Sequence, residues 1–377
     1  MKDWINTHFE EHLALLKELA AIPAPSHNED RRAEFLLNWL GEHGFCAYED
    51  ASKNVIVPMG CEGKDGIALY LAHTDVVVPD VEPLPVFEEG GRLYAPGVGD
   101  NTADIAAMLT MLRYIKEKGL KPKEPVIFAF NSCEEGLGNL KGIRQIMRDF
   151  EGRIHEVVSF DCSMDEGMIV KAVGSERWRV TCETCGGHSF GAFGNPNAIR
   201  HMAGLIDKLY EQEVPTKPGC RTTYNAGVIQ GGTTINSIAQ KCELLYEYRS
   251  DDRECMALMR ESFMKLLHEA DCEKARFEAE LIGERPCGGE VDEKAQHELL
   301  ERCRRAIVSA LGQEPAMNSG STDANIPLSL GIPAVTFGLL LGEGAHTREE
   351  WLEIDSLKVG LEIGLDTVLG HFERKGQ

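Results

Sequence analysis

The chain has no uninterrupted apolar run near the ~20 residues needed to cross a bilayer, which argues against a membrane-spanning helix. It also lacks an excess of base. Lys and Arg number 39 against 61 Asp and Glu, a formal charge of -22, and no basic stripe interleaved with aromatics offers a phosphate backbone a place to dock. Nucleic acid is therefore not an expected partner. Regular cysteine spacing is missing too: the 12 cysteines are scattered, and Cys133, Cys162 and Cys242 fall in apolar segments. That pattern fits reduced thiols used as small apolar side chains rather than a disulfide frame. Cys182-Glu-Thr-Cys185 is the single CxxC, with no second one to complete a zinc site. The strand-like Arg177-Trp-Arg-Val-Thr181 before it would send residues three apart to opposite faces. There is no internal repeat and no low-complexity linker. Met1-Lys-Asp-Trp-Ile opens an amphipathic polar segment rather than a signal peptide, so the cytoplasm is the expected compartment.

What is present is material for two cores. A length of 377 residues exceeds one typical domain, and 43% hydrophobic content is enough to fill both. Ile67-Ala-Leu-Tyr-Leu-Ala72 is an unbroken apolar run, the pattern of a strand covered on both faces, and it leads into His73. Val126-Ile-Phe-Ala-Phe130 leads in the same way toward Glu134 and Glu135, and Val157-Val-Ser-Phe160 into Asp161. Sites in open α/β sheets form beyond the carboxyl ends of the strands, so these side chains are expected to converge.

His73, Asp100, Glu134-Glu135, Asp161 and His346 offer imidazole nitrogen and carboxylate oxygen. Divalent cations take that mixture where a coordination position must stay open for water and substrate. Asp75, two residues after His73, shares its face if the strand continues, and its carboxylate could then accept the imidazole N–H and fix the tautomer. Histidines 8, 12, 43, 155, 201, 268, 297 and 371 read as structural or solvent-exposed. The alternative reading of Asp100 is a cap for a helix beginning near Thr102, and Asp323 reads as the cap of the helix after it.

The middle of the chain is a separate module. Strands are expected over 176–184, 222–229, 242–249 and 275–282, with helices after Asn195-Pro196 and over 254–270. For the first of these helices Asn195 is the expected N-cap and Pro196 the first-turn proline, with Ile199, Met202, Ala203, Leu205, Ile206 and Leu209 on the apolar face. The order βαββαβ is the ferredoxin-like arrangement. The flanks carry helices near 5–20, 29–43, 103–118, 292–311 and 355–373 and a strand over 334–337. The expected fold is thus α/β. A mixed, mostly parallel sheet domain (1–174 and 287–377) is interrupted by an inserted βαββαβ domain (175–286).

His73-Thr-Asp75, Gly97-Val-Gly-Asp100, Glu134-Glu135, Asp161 and Ala345-His346-Thr, wrapped around that insert, together resemble the M20 family of co-catalytic metallopeptidases and amidohydrolases. Gly186-Gly-His188-Ser, Gly231-Gly-Thr-Thr-Ile-Asn236, Glu247-Tyr-Arg249 and Gly320-Ser-Thr-Asp323 extend the likeness over nearly the whole chain. Thr222-Thr-Tyr-Asn225 and the 320–323 segment look most like the peptidase T-like branch, which trims short peptides. The resemblance implies two divalent metal ions, zinc by expectation, with cobalt or manganese as alternatives. His73 and Asp161 would hold one, Glu135 and His346 the other, with Asp100 bridging and Glu134 as general base. His188, Asn225, Asn236 and Arg249 match family positions that contact substrate, although Arg249 could instead pair with Asp251 or Asp252. The insert would act as a lid and join two copies into a homodimer, with His188 reaching the partner's site.

Around Asp100 the sequence departs from common family patterns, in Ala95-Pro-Gly-Val-Gly and in Asn101-Thr-Ala-Asp104, which leaves the subfamily open. An exopeptidase acting on di- or tripeptides is the leading expectation. A deacylase for acetylated or succinylated amino acids and a carboxypeptidase use the same machinery. Gly136-Leu-Gly-Asn-Leu-Lys-Gly142 fails as a dinucleotide loop, because its third glycine is late and Glu134 and Glu135 would repel a pyrophosphate. A degenerate, metal-binding but inactive member is disfavoured by the complete ligand set.

Overall fold

Strands without polar alternation must be covered on both sides, and the sheet shows how. Every residue of Ile67–His73 and of Val126–Asn131 is buried. Along the first, Ala68, Tyr70 and Ala72 face one apolar core, while Ile67, Leu69 and Leu71 face another. The first core is closed by helices Lys2–Ala20, Ala103–Glu117, Glu293–Leu311 and Ser356–Val368, through residues such as Leu16, Leu112, Ile307 and Leu361. The second is closed by Lys141–Asp149 through Ile143 and Ile146, and by Asn325–Ser329 through Ile326.

This computed structural model describes residues 1–373, and the chain divides into two units, 1–172 with the segment from 289 onward, and 173–288. The first unit is built on an eight-stranded sheet. Its order is Tyr48–Glu49, Val55–Met59, Val126–Asn131, Ile67–His73, Ile154–Phe160, Ala334–Phe337, Met168–Ala172, Met317–Gly320. The central strands from Val126–Asn131 to Ala334–Phe337 run parallel, and the antiparallel pairings lie toward the edges. Strand parity thus sends alternate side chains to two helical layers, while the carboxyl ends of the parallel strands open at one rim. A second, four-stranded antiparallel sheet of very short strands (Gly342–Glu343, Trp351–Glu353, Arg92–Tyr94, Phe87–Glu89) was not foreseen, since two or three residues carry no readable period.

In the second unit, Thr222–Gly231, Lys241–Ser250, Gly174–Glu183 and Arg276–Arg285 form an antiparallel sheet in that order. Helices Ala198–Glu211 and Arg253–Ala270 share its single core through Met202, Leu205, Met259 and Phe263, packed on Val180, Leu244 and Tyr246. This is the ferredoxin-like order. The start of its first helix differs from expectation. Asn197 is the cap, its side chain accepting the N–H groups of Ile199 and Arg200, while Asn195 donates to the Gly186 carbonyl instead. With the helix starting at Ala198, Ala198 takes a buried position and Ile199 and Ala203 face outward. Asp323 is likewise not a cap: the Asn325–Ser329 helix starts from Ala324 with no side-chain cap. The cysteines are free, with Cys182 buried and Cys185 exposed. Among the described residues no helix is long and apolar enough to cross a membrane.

One buried ionic network ties the sheet to its helices. Glu156, on Ile154–Phe160, accepts from Arg302 at 3.1 Å and pairs with His371 at 2.9 Å. Burial raises its pKa, but the His371 hydrogen bond and the Arg302 charge outweigh that and pull it down to about 2. A depressed carboxylate stabilises the fold above its unfolded pKa, and that stabilisation is lost as pH falls through the folded value. The shift from 4.5 corresponds to about 3 kcal/mol at most. Glu156→Gln should therefore lower unfolding stability above pH 5, and its deficit against the native protein should shrink as the pH falls from 4.5 toward 2. A deficit that stays constant across that range in denaturant titrations contradicts this assignment.

Candidate metal centre

Three parallel strands deliver the first donors. His73 closes its strand opposite Asn131, three residues before Glu134. Asp161 follows Phe160, and its N–H donates to the Phe337 carbonyl of the neighbouring strand at 3.2 Å. Asp100 comes from a tight loop after Arg92–Tyr94, in which Gly97 has φ 71° and a Cβ would lie 2.2 Å from Val76 Cγ1, so only glycine fits there. The Asp100–Asn101 peptide is cis, and the Asn101 amide donates to the Phe160 carbonyl at 2.7 Å. His346 arrives on the connection between Gly342–Glu343 and Trp351–Glu353.

The six side chains meet. His73 Nε2 lies 3.0 Å from Asp100 Oδ1 and 3.9 Å from Asp161 Oδ1. His346 Nε2 lies 3.1 Å from the other oxygen of Asp100, Oδ2, and 3.2 Å from Glu135 Oε1. Glu134 joins His73 and Glu135 in a third group of close donor atoms. Asp100 thus stands between two imidazole–carboxylate sets, one oxygen turned to each.

So many acids out of water draw protons onto whatever will hold them. Hydrogen bonds with Asp100 and Glu135 push His346 up to about 11. For His73, burial works downward, yet the hydrogen bonds with Asp100 and Asp75 outweigh it and raise the pKa well above the ordinary value. Burial lifts Glu135 to about 7, and lifts Asp161 well above the carboxylate range with help from the Asp100 charge. The carboxylates around each imidazole thus favour positive charge at both places. Two ligand atoms at tetrahedral zinc distances lie roughly 3.3 Å apart, so the 3.0–3.9 Å separations suit a cation shared by each set. The donor set therefore fits two divalent ions, with nitrogen and oxygen on each side.

Asp75 serves more than the imidazole beside it. Because the strand ends at His73, the nearest acceptor for His73 Nδ1 is the Asp75 backbone carbonyl at 3.0 Å, with its carboxylate at 3.4 Å. The carboxylate also accepts the backbone N–H groups of Glu134 and Glu135, each at 2.9 Å, and the Ser26 hydroxyl at 2.7 Å. Three further buried groups went unnoticed or misread in the sequence. Glu350 accepts the N–H groups of Gly97, Gly99 and Asp100. Arg32 donates to the carbonyls of Ile22 and Thr74, and burial pulls it down to about 10 against the charges of Asp75 and Glu350. Asp323 accepts from Asn131 at 2.7 Å, and burial together with the charge of Glu134 raises it to about 8. A cavity of about 230 Å³ opens beside Asp100, Asp161 and His346, walled in part by Cys162, Leu340 and Trp351.

The other expected site residues belong to the second unit. His188 and Asn236 are exposed on adjoining segments, where the Ser189 N–H donates to the Asn236 carbonyl at 2.9 Å. Asn225 is exposed on the edge strand Thr222–Gly231. The Arg249 fork is engaged by Glu247 at 3.0 and 3.1 Å, rather than by the aspartates after it. Asp252 caps the following helix at Cys255, and Asp251 accepts the Arg221 N–H.

Residues 69–369 match the model of peptidase family M20/M25/M40. The chain belongs to this family, and with it to the metal-dependent amide hydrolases. Among named relatives, an acetylornithine deacetylase of Myxococcus xanthus is 26% identical over 85% of this chain and 84% of its own. A Mycobacterium tuberculosis protein assigned provisionally as a succinyl-diaminopimelate desuccinylase is 23% identical over 93% and 96%. The crystal structure of a Staphylococcus aureus tripeptidase superposes with a TM-score of 0.75, at 24% identity, covering 96% of this chain and 97% of that one.

Ligating imidazoles must be neutral, whereas the carboxylates beside His73 and His346 favour their protonated forms. Adding zinc to the stripped protein at pH 7 should therefore release protons into a weakly buffered indicator solution, and His346→Ala should release fewer. Metal uptake without proton release contradicts the arrangement.

Proposed function

We propose that this protein is an exopeptidase that hydrolyses di- or tripeptides, using two divalent ions, zinc by preference. His73 and Asp161 hold one, Glu135 and His346 the other, and Asp100 is shared. The observation that carries this reading is the placement of the two Asp100 oxygens, one toward each imidazole. When bound, the ions polarise the scissile carbonyl and bring the pKa of a water toward neutrality. Glu134 is the general base: its carboxylate takes the proton of the attacking water and returns it to the leaving amine nitrogen. Its neighbour Glu135 is committed as a ligand, so adjacent identical side chains divide the work. Asp75 keeps both in place through their backbone N–H groups.

His188, Asn225, Asn236 and Arg249 are proposed to contact substrate. For Arg249 this requires release from Glu247, or binding alongside it. The cavity next to His346 has room for a small side chain or an acyl group, and the likeness in fold to a tripeptidase supports the peptide. The sequence relationship to an acetylornithine deacetylase keeps N-acyl amino acids as the second reading. A homodimer formed through the inserted unit is supported by its surface. Phe190 and Phe193 are 89% and 91% exposed and Ile235 is 100% exposed, on loops joined by the Gly187–His188 and Ser237–Ile238 ladder. The strand Thr222–Gly231 also leaves one edge unpaired. Within that dimer His188 serves the partner's site, and the cytoplasm is the proposed compartment.

The test combines one variant with a substrate panel. Glu134→Gln should retain its metal while kcat falls about 10²- to 10⁴-fold; near-native turnover in this variant removes Glu134 as base. Hydrolysis of free di- and tripeptides, lost when the amino end is blocked, supports the exopeptidase. Turnover confined to acetylated or succinylated amino acids selects the deacylase. Sedimentation of the same samples as a fully active monomer contradicts the dimer.

A further inference from the structure

Glu350 is 2% exposed and lies four residues after His346. Its carboxylate is ringed by backbone. Oε1 accepts the N–H groups of Gly99 and Asp100, and Oε2 that of Gly97, all at 2.8 Å. Its own carbonyl accepts the Ala95 N–H at 3.2 Å, and the next residue, Trp351, pairs with Tyr94 across the small antiparallel sheet. The loop of residues 97–100 is therefore folded around a single side chain. Its glycines are what permit this: a Cβ on Gly99 would lie 3.2 Å from Glu350 Oε1, and Gly97 sits at positive φ against Val76. Both oxygens of one carboxylate thus accept three backbone N–H groups of one short loop.

The donors of the metal centre differ in what holds them. His73 and Asp161 sit at the ends of central sheet strands. Asp100 and His346 sit on loops, and Glu350 belongs to the segment of one while gripping the backbone of the other.

We propose that Glu350 is a positioning residue that sets the two-oxygen bridge of Asp100 and locks the Asp100 loop to the His346 segment, so that the cation between Asp100, Glu135 and His346 depends on it more than the cation held by His73 and Asp161. This rests on Asp100 being the shared ligand. An amide in place of the carboxylate keeps one accepting oxygen and turns an NH2 group against the remaining N–H of the loop, so the loop relaxes. The strand-end ligands stay where the sheet holds them, and the loss falls on one ion. Structural support of the fold at large would instead weaken both ions together, or neither.

The experiment is a stepwise cobalt titration of the stripped protein, followed by visible absorption, on the native chain and on Glu350→Gln, Glu350→Asp and Gly99→Ala, with thermal unfolding as the check on folding. The native chain should bind two equivalents. In Glu350→Gln the second step should weaken about 10- to 100-fold, as when groups that orient metal ligands are removed, with the first step unchanged. With saturating cobalt, kcat should fall and KM should stay near native. Glu350→Asp, which keeps two accepting oxygens, should recover part of the loss. Gly99→Ala, which keeps Glu350 but presses a methyl group on Oε1, should weaken the same step and guards against a Glu350 variant that does not fold. A native chain that binds a single equivalent overturns the shared-ligand reading and this proposal with it. Two native equivalents, with unchanged or equally weakened steps in the folded variants, overturn the role of Glu350 alone.

Discussion

Negative charge gathered out of water must be neutralised or it does not stay charged. That constraint organises this protein. Asp75, Asp161, Glu134 and Glu135 are all buried, Asp100 stands among them, and Asp104, Asp323 and Glu350 are buried as well. The cationic partners around them are His73, His346 and the buried Arg32. Three such partners cannot hold that many carboxylates ionised. The shifts record the shortfall, with Glu135, Glu350 and Asp323 raised to about 7, 7 and 8 and Asp161 well above its range. Two divalent ions would make up the deficit, and the clustered oxygens and nitrogens suit them.

The acids divide into two kinds. One kind faces the cations through side chains. The other accepts backbone N–H groups and so fixes where the first kind points. Asp75 holds the amides of Glu134 and Glu135, Glu29 holds that of Cys133 just before them, and Glu350 holds the Gly97, Gly99 and Asp100 amides. Loops are the mobile part of most sites. Here a buried carboxylate turns each of these two ligand-bearing loops into something close to a rigid element, which is what a centre with a defined coordination geometry requires.

This division also explains what could be read from the sequence. His73, Glu134, Glu135 and Asp161 were legible because unbroken apolar strands lead to them and parallel strands end at one rim. The βαββαβ insert was legible from its alternating periods. The anchors were not. An acceptor for a backbone N–H leaves no spacing signature, because its partner is the path of another segment rather than a residue type. Asp75 therefore reads only as a partner of the imidazole beside it and Asp323 as a helix cap, and Glu350 carries no signal although it follows His346 by one helical turn's spacing. The Gly97-Val-Gly motif did carry a signal, since glycines that close around a carboxylate imply a carboxylate to close around. The slip from Asn197 to Asn195 at a helix start has a simpler cause: either asparagine precedes a plausible first turn, and only the Asn195 bond to the Gly186 carbonyl decides between them.

Anomalous diffraction from crystals grown with zinc tests the central claim most directly. The account predicts two peaks in one cleft, one against His73 and Asp161, the other against Glu135 and His346, with a different oxygen of Asp100 on each. A single peak, or two that do not share Asp100, would contradict it.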